Sequence, residues 1–375
     1  MRKTELRVAL VHDYLRTFGG GERVLLALID LFPKADVFVA SANFENVQIS
    51  HYFKKHKWQL KTTWVQSVRL FRIKPILYRA FLPFVWKSFD FTGYDLVISS
   101  SGSNMALCID VPDKIPHICY CHTPPKFLMD SSSTESGLHN NLVLKYLIKP
   151  YLLFMKVIVK QSASKVTIFV ANSHYIRSKI EQYLKMDALV IYPPLMLECA
   201  NISSKKHTQK SYLVVSRLET NKNLALIIRA FNKSKRELVI VGTGRQEKYL
   251  RKIANTNIKF LGFVSDTLLK DLYAKSIALV VAAEDEDFGL SVIESISQGT
   301  PVIAPHEGGF RESIKNGTTG FFYYRNTVDA LNRAVDQLER SKISVANCVK
   351  FAGNYHRSVF NRKILRLTEK VMKNI

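Results

Sequence analysis

Short runs of β-branched and apolar residues alternate along this chain with amphipathic stretches, and this alternation limits the possible folds more than any other feature. The runs extend from RVALVHD near the start to PVIAP around residue 303, and most end in polar or glycine-rich turns. Runs this apolar are typical of parallel strands buried on both faces. Stretches such as GERVLLALIDLF and NKNLALIIRAFNK have the pattern of crossover helices. The sequence therefore predicts an α/β fold made of doubly wound parallel sheets.

The length of the chain indicates two such sheets. A chain of 375 residues exceeds one ordinary hydrophobic core and suits about two domains. The polar stretch ECANISSKKHTQK, residues 198–210, separates the two sets of strands and is the predicted linker. We therefore expect a first domain at residues 1–197 and a second at residues 209–354.

Composition and cysteine usage favour a globular protein of the cytoplasm. Apolar residues make up 47% of the chain and charged residues 23%, which excludes a disordered chain. The opening apolar run is interrupted by His12 and Asp13, so no signal peptide is predicted. The stretch LVLKYLIKPYLLFMKVIVK contains three lysines and a proline and is not expected to cross a bilayer. Five cysteines lack the spacing of a metal site and are interpreted as reduced thiols: Cys108, Cys119, Cys121, Cys199 and Cys348.

The charge balance predicts an anionic partner. The chain has 54 Lys and Arg against 31 Asp and Glu, a net charge of +23, which suits nucleic acid, phosphorylated small molecules or an anionic membrane. Basic residues interleave with aromatic ones in residues 51–91, and residues 142–165 contain lysines and no acid. The aromatic residues of the first segment are Trp64, Phe71, Tyr78, Phe81, Phe84 and Trp86. Both segments suit an anionic membrane surface. They also suit buried helices with a solvated basic face. No zinc-finger, RRM-like or helix-turn-helix pattern indicates nucleic acid.

A glycine-rich turn follows the first predicted strand. In HDYLRTFGGGERV, the residues Gly19, Gly20 and Gly21 allow a tight turn into a helix. The amino end of that helix would point its amides above the carboxyl end of the sheet, where ligands of such folds bind. The turn suits either a phosphate or a simple strand-to-helix connection.

Two further turns in the second half carry candidate binding residues. In SRLETNKN, Arg217 and Lys222 flank a strand-to-helix turn and could converge on one anion, or remain a solvated pair. In VGTGRQ, Gly242 and Gly244 permit close approach of the backbone to a ligand.

Four successive acids, Glu284 to Asp287, precede the predicted helix GLSVIESISQG. An acid near the start of a helix stabilises the helix by about 0.3 to 1 kcal/mol through the positive end of its dipole. This effect alone does not explain why four acids occur in succession. Glu286 and Glu294 can face the same cleft, and carboxylates accept hydrogen bonds from vicinal sugar hydroxyls. Backbone amides at the helix start suit a phosphate, and they belong to Phe288, Gly289 and Leu290. Phosphate donors beside carboxylates predict a nucleotide-sugar site.

The motifs described above, taken together and in their order along the chain, resemble those of family 4 of the retaining glycosyltransferases. EDFGLSVIE is similar to the family's E-x7-E signature, with Glu286 and Glu294 as its acids, and SRLETNKN to its Arg-x4-Lys pair. FGGGERV resembles its glycine loop, and FVANSHYIRSKI and NGTTGFFY resemble further segments. YCHTPPKFLMD resembles the segment with the active-site histidine of mannosyltransferase-like members, which makes His122 the match. One departure is Asn223, where the family usually has glycine after the lysine.

The resemblance implies the GT-B fold, in which two facing doubly wound, Rossmann-like domains have the active site in the cleft between them. It also implies that a C-terminal helix, at about residues 355–375, packs back on the first domain. The implied reaction transfers a sugar from a nucleotide diphosphate-sugar with retention of configuration, and it requires no metal ion and no cofactor besides this donor.

The resemblance also implies roles for individual residues. Arg217 and Lys222 would bind the diphosphate, while Glu294 would bind the ribose hydroxyls. Glu286 would bind the hydroxyls of the transferred sugar. His122 would contact that sugar from the first domain. The glycine loop, through its second glycine, would lie close to the sugar phosphate.

The expected donor is GDP-mannose, because the histidine segment resembles branches that use it. The expected acceptor is a lipid-linked saccharide, in the assembly of a surface polysaccharide or glycan by a cytoplasmic enzyme peripherally bound to the membrane. The alternatives are a UDP-sugar donor, a nucleotide-sugar epimerase, a sugar-phosphate phosphorylase and a basic nucleic-acid-binding protein. No lysine is assignable to pyridoxal phosphate, which disfavours the phosphorylase.

Overall fold

The computed structural model describes residues 6–16, 19–46, 49–50, 60–73, 78, 81–125, 142–200 and 210–373. The chain divides into two compact units. Unit 1 contains the residues up to Pro194 together with those from Phe360 onward, and unit 2 runs from Leu195 to Val359.

Unit 1 is built around a seven-stranded parallel sheet. Its strands are β1 (Val8–His12), β2 (Asp36–Val39), β3 (Leu60–Thr62), β4 (Leu96–Ser101), β5 (His117–Cys121), β6 (Ile168–Ala171) and β7 (Ala188–Val190). Their order is β3-β2-β1-β4-β5-β6-β7, so the direction of winding reverses between β1 and β4. The helices of this unit include α1 (Gly20–Leu31), α2 (Arg69–Ile73), α3 (Leu82–Trp86), α4 (Leu142–Ser164) and α5 (His174–Lys179).

Unit 2 is built around a six-stranded parallel sheet. Its strands are β8 (Tyr212–Val215), β9 (Leu238–Val241), β10 (Ile258–Gly262), β11 (Leu279–Val280), β12 (Val302–Pro305) and β13 (Gly320–Tyr323). Their order is β10-β9-β8-β11-β12-β13, with the reversal between β8 and β11. The helices are α6 (Leu224–Ser234), α7 (Glu247–Ile253), α8 (Asp266–Lys275), α9 (Leu290–Ser297), α10 (Phe310–Ser313), α11 (Val328–Arg340) and α12 (Val345–Ala352).

Two parallel, doubly wound sheets confirm the predicted fold class. The apolar runs became strands because they supply residues that are buried on both faces; all five residues of β1, for example, are buried. In such sheets, ligands bind at the carboxyl ends of the strands, beside the point where the winding reverses. That point lies between β1 and β4 in unit 1 and between β8 and β11 in unit 2.

The last helix, α13 (Arg357–Lys373), ends in unit 1. Its buried face carries Phe360, Ile364, Leu367 and Val371. The ring of Phe360 lies 6.0 Å from the ring of Tyr120 on β5, centroid to centroid. The spacing of these apolar residues follows the helical period, and burial of this stripe fixes the helix on the unit.

The basic aromatic segments divide into buried and exposed residues. Trp86 and Tyr78 are buried in the core of unit 1, and the indole Nε1 of Trp86 donates a hydrogen bond of 2.7 Å to the carbonyl of Asn104. A membrane-facing role is therefore wrong for these two residues, because their rings pack inside the unit. Trp64, Phe81 and Phe84 are instead 44%, 49% and 59% exposed.

Helix α4 also exposes apolar side chains. Leu153, Phe154 and Val157 are each more than half exposed. Lys149 and Lys160 on the same helix are exposed as well. Among the residues that the structure describes, no helix is both long enough and apolar enough to span a membrane.

Candidate active site

The candidate residues of unit 2 lie in loops at one edge of its sheet. These loops follow β8, β9, β11 and β12, which are the four central strands. Because the strands are parallel, their carboxyl ends share one edge, so residues that are far apart in sequence meet there.

An ion pair joins two of these loops. The Nζ of Lys222, after β8, lies 2.6 Å from Oε2 of Glu286, after β11. Both side chains are about one-fifth exposed, at 18% and 21%. Two further hydrogen bonds connect the same loops: Asn223 Nδ2 donates to Glu284 Oε1 at 3.3 Å, and the amide of Glu284 donates to the carbonyl of Asn221 at 3.2 Å. A cation and a carboxylate therefore lie side by side at the edge of the sheet, still open to solvent.

Asn223, which stands where the family usually has glycine, preserves the turn. Asn223 adopts the left-handed conformation, with φ 48° and ψ 38°, immediately before α6. Glycine adopts this conformation without cost, and asparagine is among the few other residues that visit it routinely. The turn that places Lys222 is therefore available to this sequence.

The guanidinium of Arg217 is exposed, and within the described ranges it has no hydrogen bond or ion pair. The predicted convergence of Arg217 and Lys222 on one anion stays a prediction.

Packing of the backbone explains why positions 242 and 244 are glycine, and the sequence did not suggest this explanation. A Cβ on Gly242 would lie 1.9 Å from the carbonyl oxygen of Ser216, and one on Gly244 would lie 2.5 Å from that of Leu218. Both glycines thus allow the loop after β9 to pack against the backbone of the loop after β8. The close approach is to the chain's own backbone, and donor binding by these glycines stays a prediction.

At the start of α9, Phe288 and Gly289 are buried and Leu290 is partly exposed. The side chain of Phe288 is buried, and its ring lies 5.6 Å from the ring of Tyr355. Gly289 adopts φ 84°, and a Cβ there would lie 2.8 Å from Phe310 Cε1. Leu290 is the first residue of α9. The amides of a first helical turn have no acceptor within the helix and carry its positive dipole end.

Glu294 differs from the acids before it because it is buried. It is the fifth residue of α9 and is only 4% exposed. The hydroxyl of Tyr273 on α8 donates a hydrogen bond of 3.0 Å to its Oε2. A buried carboxylate needs such partners, and this one also orients the side chain. Glu284 and Asp285 are exposed by contrast, so the four acids and Glu294 have different environments.

The loop after β12 is a part of the site that sequence reasoning missed. The amide of Gly309 donates a hydrogen bond of 2.8 Å to the carbonyl of Glu286. A Cβ on Gly308, whose φ is +55°, would lie 2.5 Å from the same carbonyl oxygen. Burial and the nearby Glu284 and Asp285 raise the pKa of Glu307. Two adjacent glycines that follow the strand PVIAP after His306 and Glu307 were the available signal.

In unit 1, His122 lies at the carboxyl edge near the reversal of winding. It directly follows β5, and its Nε2 is 2.8 Å from Oγ of Ser100 on β4. The same oxygen lies 3.0 Å from Nδ1 of His12 at the end of β1. The Nε2 of His12 is 3.7 Å from Oε1 of Glu22 on α1. His12, Ser100 and Glu22 were not predicted as site residues; for His12 and Ser100, the available signal was their position at the ends of apolar runs.

The glycine loop lies beside these histidines. Gly19 precedes α1, and its amide donates a hydrogen bond of 2.9 Å to Glu22 Oε2, while Gly20 is the first residue of the helix. A Cβ on Gly21 would lie 3.4 Å from His12 Cε1 and 3.5 Å from His122 Nε2. Gly21 therefore lies close to both histidine rings. The donor-binding roles of Gly19 and Gly20 stay predictions.

Asp13 organises the loop after β4. Its Oδ2 accepts hydrogen bonds from the amides of Gly102 at 2.9 Å and Asn104 at 3.0 Å, and its Oδ1 accepts one from Ala106 at 2.9 Å. Burial raises the pKa of Asp13.

Burial lowers the pKa of His122 to about 3, with a further contribution from His12, so His122 is a neutral imidazole near pH 7.

The glycine packing gives a testable difference in stability. Gly242→Ala adds a clash with backbone to the strain of a positive φ, whereas Gly317→Ala adds only the strain, since Gly317 has φ +71° and no atom within 4 Å of a built Cβ. We expect Gly317→Ala to lower the free energy of unfolding by about 1 to 2 kcal/mol and Gly242→Ala by clearly more. Urea denaturation of both variants measures this. Equal losses would contradict the close approach.

Comparisons with known proteins agree with these features. Residues 18–198 match the family described as Glycosyltransferase Family 4, and residues 198–354 match Glycosyl transferases group 1. An uncharacterized glycosyltransferase of Methanocaldococcus jannaschii, MJ1607, is 32% identical over 139 residues, 35% of this chain and 36% of that protein. The Alpha-1,3/1,6-mannosyltransferase ALG2 of Saccharomyces cerevisiae is 26% identical over 280 residues, 60% of this chain and 53% of that protein. The chain thus spans about a third to a half of the length of these two relatives.

Solved structures with low sequence identity share the fold. Anabaena Alr3699/HepE in complex with UDP has a TM-score of 0.69 at 15% identity, covering 97% of this chain and 100% of that one. Sucrose-phosphate synthase (tll1590) from Thermosynechococcus elongatus has a TM-score of 0.71 at 14% identity, covering 99% and 100%. The matched families and the two doubly wound sheets lead to one conclusion: the chain belongs to family 4 of the glycosyltransferases, with a fold of the GT-B type.

Proposed function

We propose that the protein transfers a mannosyl group from GDP-mannose to a lipid-linked saccharide, with retention of configuration and without a metal ion. The observation that carries the proposal is the Lys222–Glu286 pair in the loops that follow β8 and β11, together with the start of α9. This edge of unit 2 offers a cation, a carboxylate and helix amides, which are the groups that a nucleotide-sugar needs. Breaking the sugar–phosphate bond leaves a diphosphate, and Arg217, Lys222 and the first amides of α9 would stabilise its growing charge.

The two glutamates have separate roles in this proposal. Glu294 is buried and oriented by Tyr273, so its carboxylate suits the fixed ribose hydroxyls. Glu286 is partly exposed and bound to Lys222, so it suits hydroxyls of the transferred sugar beside the diphosphate. Its contact with Lys222 would hold the lysine ready for that anion in the absence of donor.

Mannose is supported by the YCHTPP segment and by the similarity to the yeast mannosyltransferase ALG2. A UDP-sugar is the second candidate donor. It is favoured by solved structural neighbours, since Anabaena Alr3699/HepE was solved with UDP and with UDP-glucose.

The lipid-linked acceptor is supported by the exposed surface of unit 1. Trp64, Phe81 and Phe84 expose their rings, while Arg69 and Lys87 in the same part of the chain are exposed cations. Rings and cations together suit an interface with anionic lipid. A second exposed apolar group lies on α4, and its members are Leu153, Phe154 and Val157. We propose that these surfaces bind the protein peripherally to the cytoplasmic face of a membrane.

The donor can be identified by thermal shift with GDP, UDP and ADP and with their sugars. A stabilisation specific to GDP and GDP-mannose is expected, because a ligand that binds only the folded chain raises its melting temperature. A shift specific to UDP would select the second candidate, and no shift with any nucleotide would contradict both.

Turnover with the donor so identified should survive EDTA. Loss of turnover in EDTA that Mn²⁺ restores would contradict the metal-free mechanism.

The two glutamates should respond differently to substitution. Glu294→Ala should raise the Kd for the donor, because each hydrogen bond to a charged group contributes about 1.5 to 3 kcal/mol. Glu286→Ala should chiefly lower kcat, because it contacts the reacting sugar. Asp266→Asn, at the exposed start of α8, is the matched control and should change neither constant. Wild-type kinetics in both alanine variants would mean that these acids serve only the fold.

Membrane binding can be tested by vesicle co-sedimentation over a series of salt concentrations. Binding should require anionic lipid and weaken with salt, because each Lys or Arg near the surface contributes about 1 kcal/mol that ions screen. The triple substitution Trp64→Ser, Phe81→Ser and Phe84→Ser should reduce the binding that remains at high salt. Tyr249→Ser, an exposed ring on α7 of unit 2, is the control. Equal binding to neutral and anionic vesicles, or preferential binding to DNA, would refute the membrane assignment.

A further inference from the structure

Four polar side chains of unit 1 form a continuous chain that ends at His122. Glu22 Oε1 lies 3.7 Å from His12 Nε2, and His12 Nδ1 lies 3.0 Å from Ser100 Oγ. The same hydroxyl lies 2.8 Å from His122 Nε2. His12 and Ser100 are buried, and Glu22 is largely buried, so the contacts are shielded from water.

The serine allows only two arrangements of protons when both rings are neutral. A hydroxyl has one proton, so Ser100 donates to one imidazole nitrogen and can accept from the other. A neutral imidazole carries its proton on one nitrogen and has a lone pair on the other. The proton on His12 therefore determines the direction of the hydroxyl and, through it, the tautomer of His122.

Glu22 selects between the two arrangements. A carboxylate only accepts hydrogen bonds, and Glu22 is held in place because its Oε2 accepts the amide proton of Gly19 at 2.9 Å. Its Oε1 faces His12 Nε2, so a proton on this nitrogen is attracted, whereas a lone pair there would face another acceptor. His12 then presents a bare Nδ1 that accepts the Ser100 proton. The serine oxygen in turn accepts a proton from His122 Nε2, which leaves His122 Nδ1 bare.

The backbone holds the His122 ring where this nitrogen can be used. The amide of His122 donates to the carbonyl of Ser101 at 2.8 Å, and its carbonyl accepts from Asn172 Nδ2 at 3.0 Å. The residue is partly exposed, and Nδ1 has no hydrogen-bond partner among the residues that the structure describes.

We propose that Glu22, His12 and Ser100 are positioning residues that fix His122 in its Nε2-protonated tautomer, so that Nδ1 accepts a hydrogen bond from a hydroxyl of the transferred sugar. The hydrogen bond from the sugar to Nδ1 rests on the proposed function, in which His122 contacts that sugar. The tautomer itself is a property of the protein without donor, so the two can fail separately. Burial keeps the pKa of His122 at about 3, which is consistent with a neutral ring.

The tautomer can be read by two-dimensional NMR of the full chain labelled with ¹⁵N-histidine, at pH 8 and without donor. Protonated and bare ring nitrogens have well-separated ¹⁵N shifts, and His122→Gln and His12→Gln assign the two signals. We expect a protonated Nε2 and a bare Nδ1 for both rings. A protonated Nδ1 on His122 would overturn the proposal.

Matched variants test the serine. Ser100→Ala should give a mixture of His122 tautomers, and Ser100→Thr should restore the single one because it keeps the hydroxyl. Ser99→Ala is the control: Ser99 Oγ lies 2.7 Å from His117 Nε2, an equivalent pair, and successive residues of a strand face opposite sides. It should leave His122 unchanged. An unchanged His122 signal in Ser100→Ala would also overturn the proposal.

The sugar contact is tested by kinetics with the donor that the thermal shift identifies. Ser100→Ala should lower kcat/KM by about tenfold, which corresponds to one lost hydrogen bond, and Ser100→Thr should recover most of it. Loss of the single tautomer without any change in kcat/KM would refute the contact with a sugar hydroxyl. Inactivity of the wild type with every nucleotide-sugar would refute the proposed function and leave the NMR result to decide the tautomer.

Discussion

The loops at the carboxyl edge of the second sheet pack backbone against backbone, and the positions of the candidate side chains depend on that contact. Gly242 lets the loop after β9 meet the backbone of the loop after β8 at Ser216, and Gly308 and Gly309 let the loop after β12 meet the backbone of the loop after β11 at Glu286 and Asp287. A side chain at any of these glycines would separate the loops. The backbone hydrogen bond from Glu284 to Asn221 joins the loops after β11 and β8, and Lys222 and Glu286 in these loops lie within hydrogen-bonding distance although 64 residues separate them.

The two candidate regions use different physical chemistry. In unit 2, charged groups are kept partly open to solvent, as with Lys222 and Glu286, where they can bind a polar ligand without the full cost of burying a charge. In unit 1, the groups are mostly buried and linked by hydrogen bonds, and His122 stays neutral. A neutral, oriented ring suits recognition of a hydroxyl, whereas paired charges suit a diphosphate and a polyol.

Much of the fold could be predicted from the sequence, although the edge strands β3, β7 and β13 were not among the predicted strands. The central strands are buried along their length, so their apolar runs are visible in the sequence. β3 (LKT) has no buried residue and leaves no continuous apolar run, and β7 (ALV) has only three residues, of which one is buried. The predicted strand IALVVAA is longer than the observed one. The run is apolar throughout, but only Leu279–Val280 pairs as strand β11. The alanines after it, Ala282 and Ala283, are buried in the hydrophobic core of unit 2.

The sequence by itself determined the doubly wound sheets, the positions of the turns and the residue types at the strand ends, because periodicity and glycine placement are local properties. It also identified Lys222, Glu286, Glu294 and His122 as candidates. Only the tertiary structure decided their partners: Lys222 with Glu286, Glu294 with Tyr273, and His122 with Ser100. It also decided which rings of the basic segments are buried, such as Trp86, and which are exposed, such as Phe84. Such contacts join residues far apart in the chain, and no local pattern encodes the distance between two strand ends that the sheet order brings together.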